Sequence, residues 1–535
     1  MFGIMLRMSW RFRCLSAAAL STVTWLAPQF VGAQEALVPP TQPAVSAASE
    51  TSAIQSVKEA PLSVAFREYL NAPHFLGEEL KNMPLFGDDC EPSGLTLSYG
   101  GEIRHRYMDE DNRLRPGGPG RSTYDLYRWR QYVDLKWDQD VRVYVEGIDA
   151  SIDNNELAVT GIDKNRWDIQ NAFFDLKIAE RDDKPVYFRA GRQELLYGAP
   201  SGVSPGQQVI SPLDWGNTRR NFEGFKLFSK GDTWDIDLFA VRPVNTANPT
   251  GGTGGRPAVA SLAGPAAVSI WDNRFDHADD SRWYSGMYSV YRGIKDNTIE
   301  PYYVWLQTDS AQHVAGWADG NRHTLGLRWT MTKPIKDECD QPWIVFATDT
   351  EGAYQFGEDN GLDVQAGFFT TKLGTTFSQV AWTPQLSFIY YWGSGDSDST
   401  DGKNTTYDVL VPLNHAYWGI IDNFAGQNLN DVALQATIKP HAKLTGVAAM
   451  HWFTLDTAAD RIYNVAGAPV GSATGTGSDL GQELDLIATY SCNPNFDVQF
   501  GYSWFWYGNR VISNSSPTVP NQDATQLYIQ TSLRY

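Results

Sequence analysis

The chain has 535 residues, 42% hydrophobic and 13% aromatic, with 43 Lys and Arg against 62 Asp and Glu, a formal charge of −19. That length accommodates two to four ordinary domains or one large all-β body. The acidic balance argues against nucleic acid as a partner, a mean hydropathy of −0.36 argues against a bundle of membrane helices, and 19 Trp, 25 Tyr and 25 Phe are too much aromatic mass for a solvated coil.

At the N-terminus Arg7, Arg11 and Arg13 precede an apolar run from Cys14 to Leu26, and Val31-Gly32-Ala33 supplies small residues for cleavage before Gln34. This is the pattern of an export signal over residues 1–33. A membrane anchor is the competing reading, but Ser16, Ser21, Thr22 and Thr24 interrupt the run and Pro28 closes it. Residues 35–56 have the Ala, Pro, Ser and Thr composition of a linker. A helix-like stretch follows, with Val64, Leu70, Phe75 and Leu80 spaced among charged residues and broken by Pro73. Residues 34–94 are therefore expected to form a periplasmic extension packed on its neighbour. Nothing after the signal reaches the roughly 18 apolar residues that a spanning helix needs. An exported chain then enters a bilayer only as a closed β-barrel, because every backbone polar group must be paired within hydrocarbon.

From Leu95 the apolar period becomes two. Leu95, Leu97, Tyr99 and Ile103 alternate with Glu102, Arg104 and Arg106; Tyr127, Trp129, Val133 and Leu135 alternate with Arg128, Arg130 and Asp134. The pattern recurs at Leu325, Leu327 and Trp329 against Arg322 and Arg328, and at Leu484 and Leu486 against Glu483 and Asp485. Phe496, Val498, Phe500, Tyr502, Trp504 and Trp506 form the most apolar stripe. The expected strands are 95–107, 125–137, 141–149, 168–178, 184–195, 220–229, 233–242, 282–291, 298–308, 322–332, 342–356, 363–382, 384–393, 430–438, 441–454, 482–491, 496–508 and 525–535. That makes 18, an even number. Tight links such as 138–140, 230–232, 383, 439–440 and 492–495 alternate with long polar links at 196–219, 243–281, 395–429 and 455–481. An 18-stranded antiparallel transmembrane β-barrel over 95–535, with short periplasmic turns and long extracellular loops, accounts for this asymmetry. A soluble sandwich does not. The last segment, 526–535, alternates and ends on Tyr535, the kind of strand that barrel-assembly machinery reads.

The run 186–195 (VYFRAGRQEL), then Pro212-Leu213-Asp214-Trp215 and 217–224 (NTRRNFEG), resembles the alginate export family of outer-membrane porins. Residues 414–419 (NHAYWG), Asp422 and 481–485 (GQELD) are similar to later segments of that family. The resemblance implies an 18-stranded pore that passes an anionic uronic-acid polymer through an arginine-lined constriction, with Arg192 and Arg220 among the lining residues. The N-terminal extension has no counterpart in it, and the His415 segment is closer to the wider family than to the alginate exporter itself.

Read from alternation alone, Arg104, Arg106, Arg128, Arg130, Lys136, Lys177, Arg322, Arg328 and Arg534 point inward, with Glu102, Asp134, Asp175, Glu483 and Asp485 balancing them in part. A basic lumen in an acidic protein concentrates anions, and arginine suits carboxylates because it keeps its charge and forks onto two oxygens. The competing reading is that these arginines and carboxylates pair with one another to fill the barrel. Arg189 and Arg192 fall on opposite faces unless a bulge occurs at Gly191; the expectation is that Arg192 faces the pore.

Enzyme signals are weak: the eight histidines show no metalloprotease spacing, and no Gly-rich phosphate loop precedes a helix. No catalytic residue, metal or cofactor is expected. Asp396, Asp398 and Asp401 read as a solvated acidic loop in preference to a Ca²⁺ site. Cys90, Cys339 and Cys492 all fall at the turn end, and a bridge between Cys90 and Cys492 is one expectation. The reading is a channel in the outer membrane of a Gram-negative-type cell for anionic polysaccharide or its fragments. Its expected partners are the membrane lipid, the polymer, the assembly machinery and periplasmic export components. The rivals are a nutrient porin for small anionic solutes, a barrel enzyme, or a secreted carbohydrate-binding β protein.

Overall fold

The computed structural model describes residues 80–85, 94–181, 184–245, 275–309, 319–471, 477–514 and 516–535. The signal, the linker and the helix-like stretch up to residue 79 lie outside the described residues, as does Cys90. Eighteen strands form the wall: β1 Leu95–Asp111, β2 Arg121–Trp137, β3 Val141–Asp153, β4 Asn165–Arg181, β5 Lys184–Gln193, β6 Phe222–Lys230, β7 Trp234–Asn245, β8 Arg282–Tyr291 and β9 Asn297–Thr308. The second half comprises β10 Gly320–Lys336, β11 Pro342–Asp359, β12 Leu362–Phe377, β13 Gln385–Gly393, β14 Leu429–His441, β15 Leu444–Thr454, β16 Asp479–Asn493, β17 Phe496–Tyr507 and β18 Ala524–Arg534. Each pairs antiparallel with its neighbours, and β1 closes onto β18 from Glu102↔Arg534 to Asp111↔Thr525. Closure leaves no open edge for the backbone to present to lipid.

Alternation sets the two faces. Ile103, Leu325 and Leu434 are 48%, 60% and 55% exposed on the outside, whereas Arg104, Arg128 and Glu483 on the inside are 2%, 1% and 0% exposed. So wide an apolar outer band is a lipid-facing surface, and a slip of one residue would turn every charge outward.

At the loop end β1 runs on to Asp111 and β2 starts earlier, at Arg121, than expected, whereas β5 stops short at Gln193 and β6 starts late at Phe222; one boundary differs in kind. A single-residue turn at Thr383 was expected, but β12 stops at Phe377 and residues 378–384 form the turn, with the Val380 N–H on Phe377 O at 3.2 Å and the Thr383 N–H on Val380 O at 2.9 Å. A reversal needs at least two connecting residues. At the opposite end only Asn360-Gly361 joins β11 to β12, both residues having positive φ, 56° and 74°, as a tight hairpin turn requires.

Two of the long links do not stay outside as polar loops. Residues 194–221 and 394–428 fold into the barrel and join each other: Ile210 bridges Val411 in parallel, the Ser211 N–H reaches Val411 O at 2.9 Å, and the Leu413 N–H reaches Gln207 O at 3.0 Å. Their apolar residues Val209, Ile210, Leu410, Val411, Trp418 and Ile421 are buried. They form a core with inward aromatics such as Tyr284, Tyr302 and Phe505. Apolar runs of this kind in otherwise polar loops bury where water can be excluded, and inside this wall that place is the lumen. Asp396, Asp398 and Asp401 stay on the surface, each accepting a backbone N–H from its own loop, those of Asp398, Thr400 and Lys403. Cys339 and Cys492 are not bridged to each other, and the bridge expected between Cys90 and Cys492 involves a residue outside the described ones.

Candidate functional site

The site lies where the inward face of β1 and β2 meets the infolded loop. Arg104 donates from Nη1 to Asp214 O at 2.7 Å and from Nη2 to Gly216 O at 2.7 Å. Arg128 reaches the same two carbonyls at 3.0 and 3.1 Å, and its Nη2 also meets Glu102 at 2.5 Å and the Asp214 carboxylate at 2.9 Å. Arg106 donates to Gln530 at 2.6 and 2.8 Å and to Trp215 O at 2.8 Å. Its guanidinium lies 3.4 Å from the Trp215 ring, a cation–π contact. On the other side of Trp215 the His415 ring stacks at 3.5 Å and 3°, with its Nδ1 3.0 Å from Asp422. Arg130 pairs with Glu146 at 2.5 Å.

The loop end of this cluster is strongly coupled. Partial desolvation raises the half-exposed Asp214 carboxyl, but Arg128, Arg219, Arg104 and Arg130 hold it well below its usual range. Glu194 is likewise held down against burial, chiefly by Arg219 at 2.6 Å. Arg219 also pairs with Asp214. Arg220, whose guanidinium donates to the Pro412 carbonyl, is lowered by burial to about 10.

The other expected site residues are inward but largely neutralised by partners. Asp134 binds Arg142 at 2.7 Å and Asp175 binds Arg189 at 2.6 Å. Arg322 pairs with Asp359 at 2.9 Å, and Arg328 with Glu300 at 2.8 Å and Asp349 at 2.6 Å. Glu483 and Asp485 meet none of the expected arginines. Glu483 accepts the Ile421 N–H at 2.8 Å, while Asp485 accepts the Ser503 hydroxyl at 2.6 Å next to a His451–Asp431 pair at 2.8 Å. The lumen is thus mostly an ion-paired interior, with Arg104, Arg106 and Arg220 held by neutral oxygens or a ring among the described residues.

Arg192 departs from expectation. The β4–β5 ladder runs unbroken through Phe173↔Gly191 and Ala172↔Arg192, so no bulge shifts the parity and Arg189 is the inward residue. Arg192 pairs with Glu223 at 2.6 Å and lines a cavity of about 420 Å³ on the outer flank of the rim with Phe225, Arg242 and Trp283. Arg142, Arg219 and His451 went unnoticed in the sequence. The first was legible from its parity with Tyr144; the other two become meaningful only through partners distant in the chain.

Comparison with known proteins agrees with this architecture. A sequence profile of the family described as "Alginate export" matches residues 95–251 and 263–524. No curated protein matches the chain in sequence. Among solved structures, the outer membrane protein OprD from Pseudomonas aeruginosa aligns with a TM-score of 0.51 at 10% identity, over 82% of this chain and 93% of its own. OccAB2 from Acinetobacter baumannii aligns with a TM-score of 0.50 at 10% identity, over 82% and 98%.

Proposed function

Because the chain belongs to the alginate export family and its wall is an 18-stranded outer-membrane barrel, we propose that this channel passes an anionic, uronic-acid-type polysaccharide or its fragments. The observation that carries the reading is the group Arg104, Arg106 and Arg128 on the inward face of β1 and β2. Arg104 and Arg106 form no ion pair among the described residues: Arg104 donates from its two Nη atoms, and Arg106 from Nε and both Nη atoms, to carbonyl and amide oxygens, while Arg104 Nε is buried without a hydrogen-bond partner among the described residues. Carboxylates are stronger acceptors for the same forks. The reading includes removal of the signal over 1–33, insertion through the assembly machinery by way of β18, a periplasmic extension meeting export components, and transport without catalysis.

The test is conductance in a planar bilayer with selectivity and block measured together. The wild-type channel should prefer anions and be blocked by polyuronate, and exchanging Arg104 and Arg106 for Gln should weaken both. Unchanged anion preference in a folded Arg104→Gln/Arg106→Gln variant would sink the mechanism. A second reading, a porin for small anionic solutes, is favoured by the interior loops. The cavity left between Arg106, Arg113, Arg115 and Trp215 is about 30 Å³, too small for a sugar ring. Permeation by monomeric uronate without polymer block would select it.

A further inference from the structure

The segment that fills the arginine group has the chemistry of the ligand proposed for it. Asp214-Trp215-Gly216 places one carboxylate and three carbonyl oxygens on Arg104, Arg106 and Arg128. Asp214 Oδ1 lies on Arg128 at 2.9 Å, Asp214 O and Gly216 O lie on Arg104 and Arg128, and Trp215 O lies on Arg106 at 2.8 Å. The Trp215 ring covers the Arg106 guanidinium as a sugar face would.

Resting on the channel reading above, we propose that Asp214-Trp215-Gly216 is an internal surrogate for the polymer, and that displacing it from the arginines makes the channel select polyanions over single anions. The segment is held at both ends. Arg219 grips Asp214 and Glu194 on one side, and Asn217 donates to Tyr127 O, Ser151 O and Asp163 O at 2.9–3.1 Å on the other. Tethering gives it an effective concentration on the order of millimolar or more at the arginines. A lone carboxylate from solution competes against that concentration one contact at a time and loses. A polyuronate that captures Arg104 brings its next carboxylates to Arg106 and Arg128 under the same tethering advantage. The surrogate leaves only when several contacts are exchanged together. It is well suited to leave, since three of its four oxygens are neutral carbonyls, weaker partners for a guanidinium than the carboxylates that replace them. His415, stacked on the far face of Trp215 and paired with Asp422, keeps the ring oriented for return.

Hydrogen exchange on the full-length, membrane-inserted protein tests this without mutation. The Gly216 and Thr218 N–H groups are bonded to Leu213 O at 3.1 Å and Ile162 O at 2.9 Å, so a peptide over 213–218 reports release directly. Polyuronate should accelerate exchange there by about tenfold or more, while monomeric uronate at equal total carboxylate should not, and a wall peptide over 484–490 should stay protected under both. In the bilayer, Asp214→Asn should lower the polyuronate concentration for half-block by about tenfold, the size of one lost charge-assisted contact. Protection retained at 213–218 while polymer blocks the current would overturn the surrogate and leave the channel reading standing. Equal release by monomer would overturn selection by valency. Absence of any polymer block or passage would overturn the channel reading itself, and the surrogate with it.

Discussion

Arg328 shows what neutralisation inside the wall costs and gains. Its guanidinium joins Glu300 on β9, Asp349 on β11 and the Ala199 carbonyl of the infolded loop at 2.6–2.9 Å, with 1% of its surface exposed. Removing one partner of a buried pair leaves the other charge unpaired, a penalty of about 3–5 kcal/mol. Arg328→Met should therefore destabilise the barrel by about that much in urea titrations of the micelle-bound protein, and Arg328→Lys should recover only part of it, because an ammonium cannot fork onto both carboxylates. A loss below about 1 kcal/mol would mean that Glu300 and Asp349 are reached by water and that the interior is wetter than the packing shows. The contrast with Arg104 is one of partner chemistry. Both side chains are inward arginines on a wall strand, yet one meets carboxylates and the other amide oxygens, so only the second can exchange its partners for an anion without stranding a charge.

At the scale of the strand, parity and depth decide what a position tolerates. Leu434 lies midway along β14 on the outer face and Tyr354 near the loop end of β11 on the same face, 55% and 53% exposed. Arginine at Leu434 should cost about 2–4 kcal/mol and at Tyr354 about 0–1 kcal/mol, because a charge at the rim reaches the headgroups and one at midplane does not. Folding titrations into lipid vesicles measure both, and equal costs would contradict the depth assigned to these strands. The loops obey a different rule. Residues 194–221 and 394–428 connect strands like the other links, but Val209-Ile210 and Val409-Leu410-Val411 give each an apolar run that binds the other. Link length in the sequence marked them as long, while their apolar content was the unread sign that they belong inside.

For the molecule as a whole, closure depends on a seam that the N-terminal extension helps to hold. Residues Thr96–Gly100 of β1 run past the end of β18, and along this stretch Met83↔Leu97 and Pro84↔Thr96 take over the pairing. The C-terminal Tyr535 exchanges backbone hydrogen bonds with Gly101 at 2.9 and 3.1 Å. Lys81 sits over this junction, donating to Tyr99 O and the Tyr132 hydroxyl at 2.7 Å and to Tyr535 O at 3.3 Å. Burial lowers its pKa to about 8 against a partial opposing pull from Asp134. Between that value and the ordinary lysine range near 10.5 the unfolded chain binds the extra proton, so stability contributed here rises with pH across that window and is flat below it. The unfolding midpoint of the wild type minus that of Lys81→Met should accordingly increase from pH 8 to pH 10. A difference that stays constant or falls would show that the lysine keeps its proton at the seam.

The wall was legible in the sequence because a strand's facing depends on parity, a property of neighbouring residues. Ile103 against Arg104, and Leu484 against Glu483, announce outside and inside with no knowledge of the partner strand, and eighteen such stretches with short links at one end already imply a closed barrel. Strand ends were less legible, as at Thr383, where turn geometry overrode the pattern. The state of the site was decided by tertiary structure alone. Arg104 meets Gly216 across 112 residues of chain, and whether an inward arginine finds a carboxylate, a carbonyl or a ring depends on ladder register and on the path of two loops through the lumen. Parity fixes a direction; the neutralisation of a buried charge depends on what stands within about 4 Å of it, since Coulomb attraction and hydrogen bonding in a dry interior are settled at contact distance.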